Sequence, residues 1–269
     1  MTYQIDHDLH IHSFLSSCSA DPGQNPAAIL QYAQAHHLRT VCMTDHYWDQ
    51  AVPGVSDWYR PQDFRHISSS LPLPQSETVT FLFGCEAELD RNLKLSIPPE
   101  RFDDFDFIII PTTHLHMTGL TISEEDKPSN VRRAILWTER LHAVLEMDLP
   151  FFKIGIAHPA CHLINKHGYL EVLDLIPDAE MERVFQKAAA RGCGIELNAS
   201  DFRFDEADAD RVLRMFRIAK ACGCRFYLGS DAHHPDQLDA ATAKFARAIS
   251  LLGLKESDKF PFPTSTLFS

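Results

Sequence analysis

The chain has 269 residues, 45% of them hydrophobic, and a formal net charge of −12 with histidine counted as neutral. This charge argues against a groove for nucleic-acid polymers, which needs a basic face, and no apolar run is long enough to cross a bilayer. The N-terminal residues lack the order of a signal peptide, and seven scattered cysteines without a CxxC pair are typical of reduced thiols. We therefore expect a cytoplasmic protein in which residues 1–269 form a single domain.

Short apolar runs alternate with helical patterns along the chain, which is typical of parallel α/β proteins. The apolar runs predict seven strands, at 5–11, 40–44, 78–85, 105–111, 152–157, 193–197 and 225–229. The helical patterns predict helices at 26–37, 62–70, 130–147, 178–191, 208–222 and 235–252. Asn25 and Asn130 are predicted as N-caps, and Gly192 and Gly223 are predicted to end two helices. The polar and aromatic segment 47–61 is expected to be a loop over a site.

The first predicted strand carries two histidines, in the sequence Asp-Leu-His-Ile-His. Side chains two residues apart on a strand point to the same face, so His10 and His12 would present their imidazoles side by side. Leu9 and Ile11 would then share the opposite, apolar face. Imidazole is a common metal ligand, and Asp8 is placed to accept a hydrogen bond from a ligating ring. Taken alone, the pair also fits two solvent-exposed histidines at the end of an edge strand.

A possible metal ligand stands at the C-terminal end of every predicted strand. In closed parallel barrels the loops after these strand ends hold the active site, so residues that are distant in the sequence would meet there. Any single one of them could instead cap a helix or end a strand, but seven such strand ends in series favour a shared site. The residues are His10 and His12, His46, Glu86, His114, His158, Glu196, and Asp231 with His233.

The same residues lie in short motifs whose order, over residues 8–233, resembles the PHP (polymerase and histidinol phosphatase) family. The resemblance implies a distorted (β/α)7 TIM-like barrel that binds two or three divalent metal ions (Zn, Mn or Fe). It also implies hydrolysis of a small phosphomonoester, histidinol phosphate or a similar phosphorylated metabolite. The motifs are Asp-Leu-His-Ile-His at 8–12, Thr-Asp-His at 44–46, Gly-Cys-Glu at 84–86, His114, Ala-His-Pro at 157–159 and Gly-Ser-Asp-Ala-His at 229–233.

The resemblance also implies a role for each of these side chains. The family often has a further ligand of a third metal shortly after the HxH pair, where this chain has Cys18 at about the expected spacing and Asp21 within reach. A thiolate would favour zinc there, or the third site is weak or empty. The implied sets are His10, His12, Glu86 and Asp231 for one metal, Glu86 with His114 and His158 for a second, and His46 with His233 for a third.

Several residues near these strand ends are candidates for contact with the substrate or for support of the ligands. His116 is expected to share a strand face with His114, as a substrate contact or a spare ligand. Lys166 and Arg203 follow the fifth and sixth strands and could meet a phosphate. Three further residues complete the candidates. Glu88 matches the spacing of Glu86 but could face the loop mouth, and Glu196 and Asn198 could support ligands or bind substrate.

The implied chemistry needs no protein nucleophile, because a water activated by two metals would attack phosphorus in line. We expect Glu86, Asp231 and His233 to act in catalysis. The acidic net charge does not exclude a small phosphorylated substrate, because bound cations can reverse the local electric field. The sequence has no G-x-S-x-G, P-loop or GxGxxG motif. The remaining alternatives are a phosphodiesterase or nuclease on small nucleotides and a non-catalytic metal-binding regulatory barrel.

Overall fold

Seven parallel strands follow one another around the molecule in chain order, each pairing with the next. The computed structural model describes residues 1–202 and 205–262. The strands are β1 (His7–Ile11), β2 (Thr40–Tyr47), β3 (Thr80–Ala87), β4 (Phe107–Pro111), β5 (Ile154–Ala157), β6 (Gly194–Asn198) and β7 (Arg225–Gly229).

The segment after β7 returns to β1 and nearly closes the barrel. The Asp231 N–H donates to the carbonyl oxygen of His10 at 2.7 Å, and the His12 N–H donates to the carbonyl oxygen of Ala232 at 3.1 Å. These bonds lie at the C-terminal end of β1, so they hold the first and last strands together where the histidines stand. The predicted distorted (β/α)7 barrel is confirmed.

Helices and short 3-10 segments cover the outside of the barrel, and the link between β3 and β4 has only a 3-10 helix. No helix in the described part of the chain combines the length and apolarity needed to span a membrane. The helices are α1 (Pro26–Ala35), α2 (Phe64–Ile67), α3 (Asn130–Glu146), α4 (Tyr169–Leu175), α5 (Asp178–Arg191), α6 (Ala209–Ala221) and α7 (Pro235–Leu252). The 3-10 helices are Ser68–Ser70, Pro99–Asp104, Phe151–Lys153, His162–Ile164, Glu206–Asp208 and Glu256–Asp258.

The helix ends follow the predicted signals with one correction. The Asn25 side chain accepts from the Ala28 N–H at 3.1 Å and caps α1, as predicted. The N-cap of α3 is Ser129, whose hydroxyl accepts from the Arg132 N–H at 3.1 Å, so the prediction of Asn130 was wrong by one residue. Ser129 and Asn130 are adjacent and both residue types are good N-caps, so the sequence does not show which of them has the extended backbone of the N-cap position.

Two strands extend further than the sequence predicts. β2 and β3 pair over eight residues, from Thr40 opposite Thr80 to Tyr47 opposite Ala87. Asp45, His46 and Glu86 therefore lie inside strands and not after them. The polar residues had indicated strand ends, but they lie within the barrel wall because this end of the barrel is polar inside.

A β-bulge in β1 sets the direction of the first two histidines. Asp8 lies opposite Val41 and Ile11 lies opposite Met43, so β1 has one more residue than β2 between these two pairs. Such a bulge shifts the alternation of side chains. Leu9 packs in the apolar interior of the barrel and Ile11 packs in the layer beneath the helices, so the prediction that both share one face was wrong.

Asp8 also has a different role from the one predicted. Its carboxylate accepts from the Ser230 N–H at 2.9 Å and from the Tyr32 hydroxyl at 3.1 Å, and it faces no ligating ring. Asp8 thus ties β1 to the segment after β7 and to α1, which is a structural function.

The interior of the barrel is apolar at the end opposite the histidines. Tyr227 is fully buried there, and a Cβ on Gly155 or Gly194 would lie only 2.6 or 2.8 Å from its ring, so glycine makes room for it. This apolar layer fills the bottom of the barrel. The polar side chains of the interior therefore lie at the opposite end, where the strands end. Its members are Leu9, Cys42, Leu82, Phe107, Ile109, Ala157, Tyr227 and Phe260.

Candidate metal centre

Side chains that can ligate a metal converge at the C-terminal end of the barrel in three groups. In each group the ligand atoms lie within 4.8 Å of one another, and together the groups contain Cys18 and all eight residues of the implied ligand sets, whereas Glu196 lies outside them. The groups are His10, His12 and Asp231; Glu86, His114 and His158; and His12, Cys18, His46 and His233.

Glu86 lies at the centre of the three groups. Its Oε2 is 2.9 Å from Nδ1 of His46 and 3.4 Å from Nε2 of His12. Its Oε1 is 3.2 Å from Nε2 of His158. A carboxylate with its two oxygens toward different groups can bridge two ions. The sharing of His12 between two groups was not expected from the sequence, and Asp21 lies outside them, with its Oδ2 2.8 Å from Nε2 of His234.

Carboxylates orient two of the rings. Nδ1 of His10 donates to Oε1 of Glu196 at 2.8 Å, and Nδ1 of His114 donates to Oε2 of Glu88 at 2.7 Å. Both carboxylates are fully buried. Such a bond fixes the tautomer, so that Nε2 keeps its lone pair for an ion. Glu196 was a predicted candidate for the support of ligands. The suggestion that Glu88 could face the loop mouth was wrong, because Glu88 is buried against the ring of His114.

Hydroxyls and a carbonyl orient three more rings in the same sense. Nδ1 of His12 is 3.0 Å from Oγ of Ser16, whose hydroxyl proton goes to Asp45. Nδ1 of His158 is 3.0 Å from Oγ1 of Thr113. Nδ1 of His233 is likewise 2.8 Å from the carbonyl oxygen of Asp231. Sequence reasoning missed Ser16 and Thr113, since a single hydroxyl beside a histidine carries no signal of its own.

The orientation of the rings leaves bare nitrogen atoms facing one another. Nε2 of His10 and Nε2 of His12 are 3.0 Å apart, while their Nδ1 atoms are both engaged elsewhere. Nδ1 of His46 is buried and makes no hydrogen bond of suitable geometry among the described residues, although Oε2 of Glu86 lies 2.9 Å away. Two lone pairs this close repel unless a proton or a metal ion lies between them, so the donor set fits divalent metal ions.

Glu86 and His12 have the protonation states of metal ligands. Burial opposes ionisation of Glu86, but the neighbouring His46, His10 and His158 outweigh it and hold the pKa of Glu86 well below its usual range. Burial, with the positive charges of His233 and His46, holds the pKa of His12 well below its usual value, so this ring is neutral. Deprotonated carboxylate and neutral imidazole are the forms that bind metals. Neighbouring acidic groups raise the pKa of His10, His46 and His158 despite burial, so these three rings would release protons when a metal binds.

Cys18 is the one thiol in these groups. Burial opposes its ionisation, but hydrogen bonds with His233 and His46 lower the pKa of Cys18 to about 7. A thiol with this pKa is partly thiolate at neutral pH, which is the ligating form.

A cavity of about 490 Å³ opens directly above the three groups. Its floor contains residues of each group, and its wall comes from the loops after β2, β4 and β5. The segment 47–61, expected to cover a site, supplies three residues of this wall. Besides the residues of the metal groups, the cavity is lined by Ser56, Trp58, Tyr59, His116, Met117, Thr118, Leu120 and Leu163.

The three predicted substrate residues have different positions. His116 lines the cavity, but β4 ends at Pro111, so it does not share a strand face with His114; the two rings meet edge to face at 5.4 Å. Burial and the nearby positive charges lower the pKa of His116 to about 3, so its ring is neutral. Lys166 is exposed and does not line the cavity, and Arg203 lies outside the described residues.

Comparisons with known proteins give one sequence relative and a set of solved structures. No family model matches the sequence. A probable phosphatase of Caldicellulosiruptor bescii is 22% identical over 233 residues, which are 86% of this chain and 80% of that protein.

Two of the similar solved structures are histidinol phosphatases. The enzyme from Lactococcus lactis, complexed with zinc, L-histidinol and phosphate, has a TM-score of 0.59 and 17% identity over 94% of this chain and 98% of its own. A putative histidinol phosphatase from Listeria monocytogenes has a TM-score of 0.62 and 12% identity over 89% and 99% of the two chains. At these identities the structures establish a shared fold, so the predicted likeness to histidinol phosphatases is confirmed at the level of the fold.

Proposed function

We propose that the protein is a metal-dependent phosphatase that hydrolyses a small phosphomonoester. The observation that carries this proposal is the convergence of nine possible ligands in three groups on one rim of the barrel. A relative named as a probable phosphatase and the fold of a zinc-containing histidinol phosphate phosphatase support the same reading. Two or three ions of zinc, manganese or iron would suit these donors.

The three groups suggest which residues would hold each ion. We assign His10, His12 and Asp231 to the first ion, Glu86 with His114 and His158 to the second, and His46, His233 and Cys18 to the third. Glu86 and His12 would be shared between neighbouring ions. When bound, the ions would supply Lewis acidity toward water and toward the phosphoryl oxygens.

The chain's own residues have three tasks in this scheme. Glu196 and Glu88 keep the rings of His10 and His114 in the tautomer that leaves Nε2 free. Glu86 and Asp231 provide the negative charge that holds cations in a buried place. His233 is less buried than the other rings, with 28% of its side chain exposed at the cavity, and where the third ion is absent it is our candidate to pass a proton to the leaving group.

The first experiment joins metal analysis to a phosphoester screen. Purified protein is analysed for bound metals, stripped with a chelator, reloaded with zinc, manganese or iron, and assayed on 4-nitrophenyl phosphate and phosphorylated metabolites, including L-histidinol phosphate. We expect metal-dependent release of phosphate. A protein that binds metal stoichiometrically but turns over no phosphomonoester contradicts the proposal, and activity confined to phosphodiesters replaces it with the nucleotide alternative.

Variants test the ligand assignment. His12→Ala and Asp231→Ala should lower hydrolysis by at least two orders of magnitude, because each removes a donor from a buried group. His36→Ala is the matched control, since His36 contacts Asp239 on the outside of the barrel. Cys18→Ser should change the amount or the preference of bound metal, and an unchanged stoichiometry would remove Cys18 from the third site.

A further inference from the structure

The cavity above the metal groups has two unlike halves. Its floor is made of histidines and carboxylates, whereas its wall presents the apolar side chains of Trp58, Met117, Leu120 and Leu163 beside the uncharged polar side chains of Ser56, Thr118 and His116. An enzyme that recognised a charged leaving group would be expected to place groups of the opposite charge on this wall.

Trp58 is the most prominent part of the wall. Its side chain is large and apolar, yet the residue is 41% exposed. The indole meets the ring of His46 edge to face at 5.0 Å and the ring of Tyr59 at 4.6 Å, so it is held beside the metal groups by aromatic contacts. A ring fixed in this way offers a flat surface to a bound molecule without first losing much conformational freedom.

The wall offers no free charge. Among the described residues that line the cavity there is no lysine or arginine, and the only carboxylates are Glu86 and Asp231, which belong to the metal groups. The Tyr59 hydroxyl is engaged with Glu88 at 2.8 Å. An ammonium group on the leaving group would therefore find no unused carboxylate among the described residues that line the cavity, and a charge without a counter-charge is costly to remove from water.

We propose that the site prefers phosphomonoesters whose leaving group is uncharged and carries a flat apolar or aromatic group that packs against Trp58. This inference rests on the proposed phosphatase function and adds the substrate class. In the reaction the bond between phosphorus and the leaving oxygen breaks, a bond from water oxygen to phosphorus forms, and a proton passes to the leaving alkoxide. No other reactant is needed.

Three alkyl phosphates with primary-alcohol leaving groups test the preference. 3-Phenylpropyl phosphate has the ring without the ammonium, propyl phosphate has neither, and L-histidinol phosphate has an aromatic ring and an ammonium. With metal-loaded protein we expect kcat/KM for the phenylpropyl ester to exceed that for each of the others by about tenfold or more, as the burial of one aromatic ring implies. A kcat/KM for L-histidinol phosphate equal to or above that of the phenylpropyl ester overturns the inference.

Variants connect the preference to the wall. Trp58→Ala should lower the ratio of kcat/KM for phenylpropyl over propyl phosphate about tenfold, and Trp58→Phe should keep most of it. Since both rates come from the same protein, a general loss of metal or of folded protein cancels in the ratio. Leu163→Ser is the second variant, and Phe152→Ala, with Phe152 64% exposed outside the cavity, is the control. An unchanged ratio in both Trp58→Ala and Leu163→Ser overturns the inference.

The two proposals fail in different ways. If metal-loaded wild-type protein hydrolyses none of the three esters and no 4-nitrophenyl phosphate, the phosphatase function is wrong. If it hydrolyses them without favouring the phenylpropyl ester, only the substrate class is wrong.

Discussion

Gly229→Ala changes the support of the metal groups without changing a ligand. Gly229 ends β7, and a Cβ at this position would overlap Oε1 of Glu196 and lie 2.7 Å from Cβ of His10. Glu196 Oε1 is the atom that accepts the hydrogen bond from the ring of His10. The new methyl group must therefore push this carboxylate away from the ring that it orients.

The structure suggests two separate magnitudes. Crowding of a packed interior by one methyl group typically lowers the free energy of unfolding by about 1–3 kcal/mol. Loss of the carboxylate that orients a ligand typically lowers metal affinity by about 10–100-fold, which corresponds to about 1.4–2.7 kcal/mol. Gly229→Ala should show both effects.

Gly194→Ala is a matched control because it crowds the same barrel at its other end. A Cβ on Gly194 would lie 2.8 Å from the ring of Tyr227 and 3.1 Å from that of Phe260, away from the metal groups. It should lower stability by a similar amount and leave metal affinity unchanged. The assay is zinc titration against a competing chelator, with chemical denaturation of the metal-free proteins. Equal zinc affinity in Gly229→Ala and Gly194→Ala, with both destabilised, would refute the proposed role of the contact between Glu196 and His10.

Three further variants test other parts of the structure. Glu88→Gln removes the charge beside the ring of His114 and should lower kcat of the folded, metal-loaded protein by about 10–100-fold; a rate within threefold of wild type would contradict this role. Arg140→Met leaves four backbone carbonyls without the buried guanidinium that donates to them, and should cost about 3–5 kcal/mol in urea denaturation; a loss below 1 kcal/mol would not fit. Burial raises the pKa of Asp201 from 3.8 to about 8, so the stability that its protonated form contributes is complete below pH 4 and is lost as the pH rises toward 8. Asp201→Asn should therefore stabilise the metal-free protein by on the order of 5 kcal/mol at pH 8 and have little effect at pH 4, measured by thermal unfolding across that range; a gain of equal size at both values would exclude this cause.

Sequence patterns were sufficient for the order of the strands but not for their ends. The run 78–85 predicts β3, yet the strand continues through Glu86 to Ala87 because it pairs with β2 as far as Tyr47. Pairing partners lie about forty residues away in the chain, so no local pattern contains them. The short helix α4 was not predicted for a similar reason, since seven residues are too few to show a helical period.

The ligands were more predictable than the residues that hold them. Histidine and carboxylate at successive strand ends are visible in the sequence, because parallel strands must bring these ends together. The bulge that turns both Leu9 and His10 inward is a departure from strict alternation, and it depends on the register against β2. Ser16 and Thr113 act through single hydrogen bonds from loops, which have no periodicity to detect.

The apolar bottom of the barrel and its polar rim depend on each other. Tyr227 and the residues around it keep water out from below, so Glu86 and Glu196 are buried charges that only cations or hydrogen bonds can stabilise. Glu196 has hydrogen bonds from the ring of His10 and from the backbone N–H of His158, whereas Glu86 faces imidazole nitrogens on several sides. The Glu86 carboxylate is therefore stabilised by the cations that the surrounding histidines can bind. The same low polarity that makes Glu86 costly without a cation would therefore make the rim a strong binder of divalent ions.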